Sequence, residues 1–326
     1  MNRLSRSAVA WVLLLLSASA CLRPNIRATV EDPSAVQIAQ IWEAPTDLEE
    51  RDLFHGPGGS SLMPDPSLPL EFISEDRSGY SPGYDVRDAE GVTWSVKLGP
   101  EAQPEAAVSR LLWAVGFHQP PTYYLPTWTM TGGPRGHKPP GRFRPDLAGW
   151  KVVADWSWYE NEFVNTQPFK GLVVANLMLN NWDWKTSNNK VYEVDEGGNG
   201  ASRRIYVVRD VGASLGKTSF PKFLGWFPMR GLGQGSRNDI EDFESQGFIK
   251  RVDGERVEFY YRGIHQDVLD TLSRNDVVWV SRLMSRLSDR QWNDAFRGAG
   301  YSDDHTRRFV AKIKSKVADS LKLGEA

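Results

Sequence analysis

The spacing of apolar residues divides the chain into a first half with period-two alternation and a second half with helical spacing. Alternation over four to eight residues is typical of half-buried strands. Five runs are expected to form strands: 70–74, 84–87, 92–98, 123–130 and 150–156. The Asp-Ala-Glu-Gly turn at 88–91 favours a β-hairpin between the second and third runs. The basic, Gly- and Pro-rich stretch 132–145 favours a surface loop.

Apolar residues three and four positions apart predict helices over 101–116, 169–179 and 266–287. Two short strands are expected at 190–194 and 204–209, on either side of a Gly-rich turn. A sheet-rich half that precedes a helix-rich half predicts an α+β fold with an N-terminal antiparallel sheet, one helix beside it, and a mostly helical C-terminal region.

The first twenty residues have the layout of a secretory signal. Arg3 and Arg6 precede an apolar run over 8–16, and small residues then lead to Cys21. The run is too short to span a bilayer. We therefore expect residues 1–20 to be a signal peptide that directs the chain across the cytoplasmic membrane.

The stretch that ends at Cys21 resembles a bacterial lipoprotein signal, which implies that Cys21 is the lipidated first residue after cleavage. Leu22 follows instead of Asp, which favours the outer membrane over the inner one in a Gram-negative cell. Acyl chains on Cys21 would then attach the protein to the membrane. A simple secreted protein with a stray cysteine is the alternative.

The rest of the chain divides into three parts by composition. Residues 21–69 are rich in Pro, Gly, Ser and acidic side chains and are expected to form a tether and a loosely packed entry segment. Residues 70–160 are expected to form an N-terminal lobe and residues 161–326 a C-terminal lobe. A chain of 326 residues is long enough for one bilobal domain or two small ones.

Charge and composition exclude several classes of function. With 39 basic and 41 acidic residues the net charge is −2, so no electrostatic argument favours a nucleic-acid partner. Cys21 is the only cysteine, which excludes an internal disulfide and a cysteine-based zinc site. The 13 Trp fit either stacking on a ring-shaped ligand or packing in the core.

The candidate chemistry is concentrated around the segment Asn-Asn-Trp-Asp-Trp-Lys-Thr-Ser-Asn at 180–188. Asp183 could orient an attacking hydroxyl, and Lys185 could neutralise a phosphoryl group. Asn188 and Asp210 are oxygen ligands of the kind that Mg²⁺ prefers. Phosphoryl transfer needs little more from a protein than such groups in the right places.

Two elements upstream could complete this constellation. Lys97 ends the strand after the predicted hairpin, where it could reach phosphate oxygens. Glu101 and Glu105 lie in the first turns of the next helix, and either could pair with Lys97. Glu105 is the preferred partner because it lies deeper in the helix, although acidic residues in a first turn also simply favour the helix dipole.

These residues resemble the protein-kinase-like superfamily in order and spacing. That family has a strand lysine, a helix glutamate, a catalytic loop with Asp, Lys and Asn at these intervals, and a metal-binding Asp two residues before Gly. The segments WSVK, EAQPEAAVSR, NNWDWKTSN and RDVGASLG stand in those places. This chain has Asn181-Trp182 where the family usually has His-Arg, and Val211 where it has Phe. With these differences, the chain resembles the atypical bacterial and secretory-pathway branches of the superfamily.

A phosphate-covering loop is expected at 78–83, where Gly79 and Gly83 would approach the nucleotide; the Gly-rich stretch 56–60 is the alternative. The stretch 212–218 looks like a P-loop, but its spacing is one residue short and Pro221 would end the required helix early.

The resemblance implies that ATP and Mg²⁺ bind between the lobes and that the γ-phosphoryl group passes to a hydroxyl of a protein or small molecule at the cell envelope. The adenine-binding hinge is expected near 154–160. A catalytically inactive pseudokinase that serves as an envelope binding or scaffold lipoprotein is the competing interpretation, because little ATP is expected outside the cytoplasmic membrane.

Overall fold

The computed structural model describes residues 26–76, 81–136, 138–195, 201–218 and 235–325. Cys21, Gly79 and the signal segment 1–20 lie outside these ranges, so the expectations for them remain predictions from sequence. None of the helices in the described ranges combines the length and apolar character needed to cross a membrane.

The N-terminal half forms a six-stranded sheet with the order β5-β7-β4-β3-β2-β6. The strands are β2 (Leu70–Asp76), β3 (Gly83–Arg87), β4 (Thr93–Leu98), β5 (Tyr123–Leu125), β6 (Met130–Thr131) and β7 (Gly141–Pro145). A short strand β1 (Arg27–Ala28) precedes them and pairs with β9 (Glu160–Asn161) outside this sheet.

The predicted hairpin is present between β3 and β4, which pair antiparallel with Val86 opposite Trp94. Asp88 fixes its turn because the two carboxylate oxygens accept hydrogen bonds from the Val92 amide and the Trp94 indole, each at 2.7 Å. Period-two alternation in β4 buries Trp94 and Val96 on one face of the sheet. Lys97 consequently lies on the opposite face.

The expectation of a surface loop over 132–145 is wrong at its C-terminal end, where β7 lies between β4 and β5 in the sheet. All five residues of β7 are buried. Phe143 packs edge to face on Trp94 and Trp128 in the sheet core. Arg142 and Arg144 alternate with Phe143 and are buried with ionic partners, so their charge did not indicate exposure.

Helix α2 (Ala102–Ala114) covers the predicted helix and packs on β7. Its buried side chains include Ala107, Val108, Leu111 and Leu112, which follow helical spacing. The chain leaves the helix at Gly116, whose φ of +100° is a left-handed conformation that glycine adopts without strain.

The C-terminal half contains a three-stranded sheet, β11-β10-β8, a hairpin of β12 and β13, and most of the helices. The strands are β8 (Trp150–Asp155), β10 (Asn189–Asp195), β11 (Ser202–Val208), β12 (Ile249–Asp253) and β13 (Arg256–Phe259). The helices are α3 (Gln167–Met178), α4 (Ile240–Ser245), α5 (Gln266–Leu269), α6 (Arg274–Ser285), α7 (Asp289–Arg297) and α8 (Asp303–Leu321). The arrangement is α+β, with an N-terminal sheet that precedes a mostly helical region.

The chain passes from the first sheet to the second between Pro145 and Trp150. Strand β8 pairs with β10 and not with the N-terminal sheet. The connection between the two sheets is therefore 146–149, and the expected hinge near 154–160 is wrong.

The entry segment is packed more tightly than its composition suggested. Ile41, Leu48 and Leu53 are at most 1% exposed and belong to the main hydrophobic core. A short helix α1 (Ala35–Ile38) with a Ser34 capping box begins this packed part. The polar residues of the entry segment lie on the surface. The three apolar residues Ile41, Leu48 and Leu53 are enough to fix the segment on the lobes.

Candidate functional site

Lys97 is at the centre of an ionic cluster that joins the two lobes. Its Nζ lies 2.9 Å from both carboxylate oxygens of Asp210 and 2.8 Å from Oε2 of Glu105. Glu101 is more distant, with Oε2 at 3.5 Å. Burial alone would lower the pKa of Lys97, but Glu105 and Asp210 outweigh it and raise that pKa, so the ammonium is charged.

Glu105 is fully buried and is shared by three cations. Besides Lys97, the Nε of Arg142 lies 2.9 Å from Oε1, and Arg144 forms a hydrogen bond with the same oxygen. Burial by itself would raise the pKa of Glu105. Arg142, Lys97 and Arg144 reverse this effect and hold the pKa well below the ordinary range, so the carboxylate is ionised.

Glu101 forms a second connection between α2 and the C-terminal half. Its Oε2 accepts a hydrogen bond from the Ser81 hydroxyl at 3.0 Å, and its Oε1 pairs with Arg237. Arg237 in turn stacks on the Trp182 ring at 4.8 Å. The structure thus places both candidate glutamates near Lys97, with Glu105 closer.

The predicted catalytic loop begins where α3 ends. Asn180 has a φ of 54°, and its side chain donates to the Gly216 carbonyl at 2.6 Å. Lys316, buried in α8, donates to the Asn180 side chain at 3.0 Å and to the Met178 carbonyl at 2.7 Å. These bonds turn the chain sharply and fix the start of the loop.

Asp183 and Asn188 lie in one hydrogen-bonded loop. Oδ2 of Asp183 accepts from Lys185 Nζ at 2.9 Å, whereas its buried Oδ1 has no hydrogen-bond partner among the described residues. The Asn188 side chain donates to the Asp183 carbonyl at 2.7 Å. The Asn188 carbonyl also accepts from the amides of Arg209 and Asp210, at 2.9 and 3.2 Å, so Asn188 is held next to Asp210.

Two glycines permit close approaches at the edge of the cluster. A side chain on Gly212 would place its Cβ 2.7 Å from the Cβ of Glu101, so the loop after Asp210 can contact α2 only through glycine. Gly83 is opposite Lys97 in the β3–β4 ladder, and a Cβ there would clash with the Val96 carbonyl. Gly83 therefore has a packing role whether or not it contacts a nucleotide.

The residues present fit a magnesium site of the kind that is completed by a substrate. The described ranges hold no group of three or more His, Cys, Asp or Glu that could bind a metal by themselves. Mg²⁺ commonly binds to one or two carboxylates together with phosphate oxygens and water. Asp210, which is partly exposed, and the amide oxygen of Asn188 are the groups that could serve here.

A cavity of about 420 Å³ lies between the two sheets, beside the ionic cluster. Its walls include Ser95 and Thr93 of β4, Leu147 of the connection between the sheets, and Val152 and Tyr192 of the second sheet. A cavity of several hundred Å³ is large enough for a small organic ligand.

Sequence reasoning missed the arginines of this site. Arg144 and Arg209 also line the cavity. The signal that could have identified the first is the alternation Arg-Phe-Arg at 142–144, which is typical of a strand with one apolar face. Arg209 was simply the residue before the candidate metal ligand.

Most of the tryptophans pack in the core. Trp158 packs between Trp156 and Trp184, with ring centroids 4.8 and 5.0 Å away, and all three are at most 4% exposed. Trp150 is the tryptophan that lines the cavity between the sheets. Core packing therefore accounts for this cluster.

No family model matches the chain, and no curated protein matches it. Among solved structures, the Helicobacter pylori proinflammatory kinase CtkA is similar, with a TM-score of 0.46 and 10% sequence identity. The similarity covers 80% of this chain and 99% of that chain.

Proposed function

We propose that this protein is an atypical kinase that transfers the γ-phosphoryl group of a magnesium-bound nucleoside triphosphate to a hydroxyl group. The observation that carries the proposal is the contact of Lys97 with Glu105 at 2.8 Å and with Asp210 at 2.9 Å. Asp183 is linked to Asp210 through Asn188, and its buried Oδ1 has no hydrogen-bond partner among the described residues. Lys97, Glu105 and Asp210 are far apart in the sequence but are in contact here. Phosphoryl transfer depends on such positioning of charged groups.

Each residue has a definite part in this reaction. The carboxylate of Asp183 would accept the proton of the acceptor hydroxyl while the hydroxyl oxygen forms a bond to the γ-phosphorus and the bond from that phosphorus to the bridging oxygen breaks. Lys97 and Lys185 would neutralise phosphate oxygens as charge moves to the leaving diphosphate. Mg²⁺ on Asp210 and Asn188 would supply further charge neutralisation when bound.

The ionic cluster also favours a second candidate, a non-catalytic nucleotide-binding or scaffold module. Both oxygens of Asp210 are within 2.9 Å of Lys97, and Oδ2 of Asp183 is paired with Lys185. A metal ion and an acceptor hydroxyl would have to compete with these lysines. A fold released from catalysis could keep such pairs for their contribution to stability.

A soluble form that starts at Leu22 tests the proposal. Saturating Mg-nucleotide, at about 100 times Kd, should stabilise the fold by about 2.7 kcal/mol, which is visible as a rise in Tm. Asp183→Ala should keep this shift but lose phosphate transfer from a γ-labelled nucleotide to water or to the protein itself. Asp210→Ala should lose the magnesium-dependent part of the shift.

The exposed Asp253, the last residue of β12, provides the matched control, and Asp253→Ala should behave as the wild type. If no nucleotide raises the Tm of the wild type, the proposal is contradicted. If a nucleotide raises the Tm but the wild type transfers no phosphate, the non-catalytic module is favoured.

We also propose, from the sequence alone, that the protein functions at the cell envelope and is attached to the membrane through Cys21. The hydroxyl acceptor would then be a protein or small molecule of that compartment.

A further inference from the structure

The cavity between the sheets is at the right distance from Lys97 for the base of a nucleotide. Thr93, Ser95 and Lys97 lie on one face of β4, and successive residues on the same face are about 6.6 Å apart. Ser95 and Thr93 line the cavity. A nucleotide with its phosphates at Lys97 would therefore place its base in this cavity, roughly 7–13 Å along the strand.

Arg209 supplies an unpaired cation to this cavity. It forms no ion pair within the described ranges, and its Nε is buried without a hydrogen-bond partner. The neighbouring Arg144, together with burial, lowers the pKa of Arg209, which shows that the two guanidinium groups repel each other. An acceptor group on a ligand would satisfy Arg209, because such a donor is costly to bury alone.

Arg144 is fixed beside Arg209 and cannot move away. Its Nη2 donates to Glu105 and, at 3.0 Å, to the Arg209 carbonyl, while its Nε is also buried without a partner. The Nε–H groups of Arg144 and Arg209 thus have no acceptor among the described residues.

The same cavity also offers an acceptor. Asp146 is exposed in the connection between the sheets, lines the cavity and forms no ion pair within the described ranges. Its backbone amide donates to the Thr93 carbonyl at 2.8 Å, so the residue is held at the rim of the first sheet.

We infer that this cavity selects guanine over adenine, with Arg209 as the specificity-determining residue. This inference rests on the proposed function. Guanine presents O6 and N7, two adjacent acceptors that a guanidinium can contact together, whereas adenine presents an amino donor beside N7. The amino and imino donors of guanine suit a carboxylate such as Asp146. A contact of this type discriminates between bases by on the order of tenfold to a hundredfold.

Titration of the soluble form with Mg·GTP, Mg·ATP, Mg·ITP and Mg·UTP tests the inference. GTP should bind about tenfold or more tightly than ATP. ITP has O6 and N7 but lacks the 2-amino group, so it should still bind more tightly than ATP. Arg209→Met should lower the affinity for GTP by about tenfold and leave that for ATP nearly unchanged.

Arg204→Met is the matched control, because Arg204 is exposed on β11, the strand that ends just before Arg209, and does not line the cavity. It should keep the preference for GTP. Tm values of both variants without nucleotide show whether they fold, and the wild-type ratio of GTP to ATP affinity needs no variant at all.

Other results would overturn the inference. Equal or tighter binding of ATP would contradict it while leaving the proposed kinase function intact. If Arg209→Met lowers the affinity for all four nucleotides equally, UTP included, Arg209 binds phosphate and not a base. No binding of any nucleotide by the wild type would instead contradict the proposed function itself.

Discussion

Glu105 is the residue on which the ionic cluster depends. It is the only carboxylate that contacts Lys97, Arg142 and Arg144 together within the described ranges, and it has no exposed surface. A buried carboxylate with three cations is stable only as a complete group, because removal of one charge leaves the others unpaired in a poorly solvated place. The position of Lys97 therefore depends on the ionisation of Glu105.

Glu105→Gln should lower the free energy of unfolding by about 3–5 kcal/mol at neutral pH, because it leaves buried cations without their anion. The folded-state pKa of Glu105 lies below its ordinary value of 4.5, so the stabilisation is fully present above pH 4.5 and decreases as pH falls. The difference in the free energy of unfolding between wild type and variant should decrease by about 1.4 kcal/mol for each pH unit below the ordinary pKa.

Denaturant unfolding between pH 7 and pH 3 measures this difference. Glu71→Gln, on the exposed part of β2, is the control and should change stability little over the same range. A difference between Glu105→Gln and wild type that does not change with pH would mean that the variant acts through packing and not through charge.

Helix α2 is held at its C-terminal end by the entry segment. The Trp42 indole donates to the Val115 carbonyl at 2.8 Å, and the Glu43 amide donates to the Gly116 carbonyl at 3.0 Å. The same segment reaches the C-terminal half, where Gln291 donates to the Leu48 carbonyl at 2.6 Å. Because Glu105 is on α2, the entry segment also helps to fix the ionic cluster.

Trp42→Phe keeps most of the ring but removes the donor to the end of α2. We expect a loss of about 1 kcal/mol of stability, the net value of one hydrogen bond, together with slower phosphate transfer at saturating nucleotide. Thermal unfolding and single-turnover transfer measure the two effects. Val36→Ala, in the same segment at a residue that is 77% exposed, should change neither.

A decrease in stability with an unchanged transfer rate would show that the entry segment supports the fold without positioning α2.

The whole molecule consists of two lobes that meet at Lys97 and Asp210 and are joined by the connection at 146–149 and by the packed entry segment. The entry segment contacts the rest of the molecule from Ile26 onward, because β1 pairs with β9 and both Ile26 and Ala28 pack against the main core.

Cys21→Ser should move the full-length protein from the membrane fraction to the soluble fraction of a Gram-negative host, because the thiol is the attachment point for the acyl chains. Nucleotide binding by the lobes should not change. Ser19→Ala retains the thiol and should stay in the membrane fraction. Recovery of Cys21→Ser with the membranes would contradict lipid attachment at this residue.

Local patterns in the sequence determined the hairpin of β3 and β4, helices α2 and α3, and the types of residue at 97, 105, 183, 188 and 210, because alternation, helical spacing and motif intervals are properties of neighbouring residues. Only the tertiary structure decided where the chain crosses between lobes and that 141–145 is a central strand. It also decided that Arg142, Arg144 and Arg209 lie at the site. From sequence alone, a charged residue is expected to be exposed. The ionic partner of Arg142 and Arg144 is Glu105, which is distant in sequence and is brought next to them only by folding.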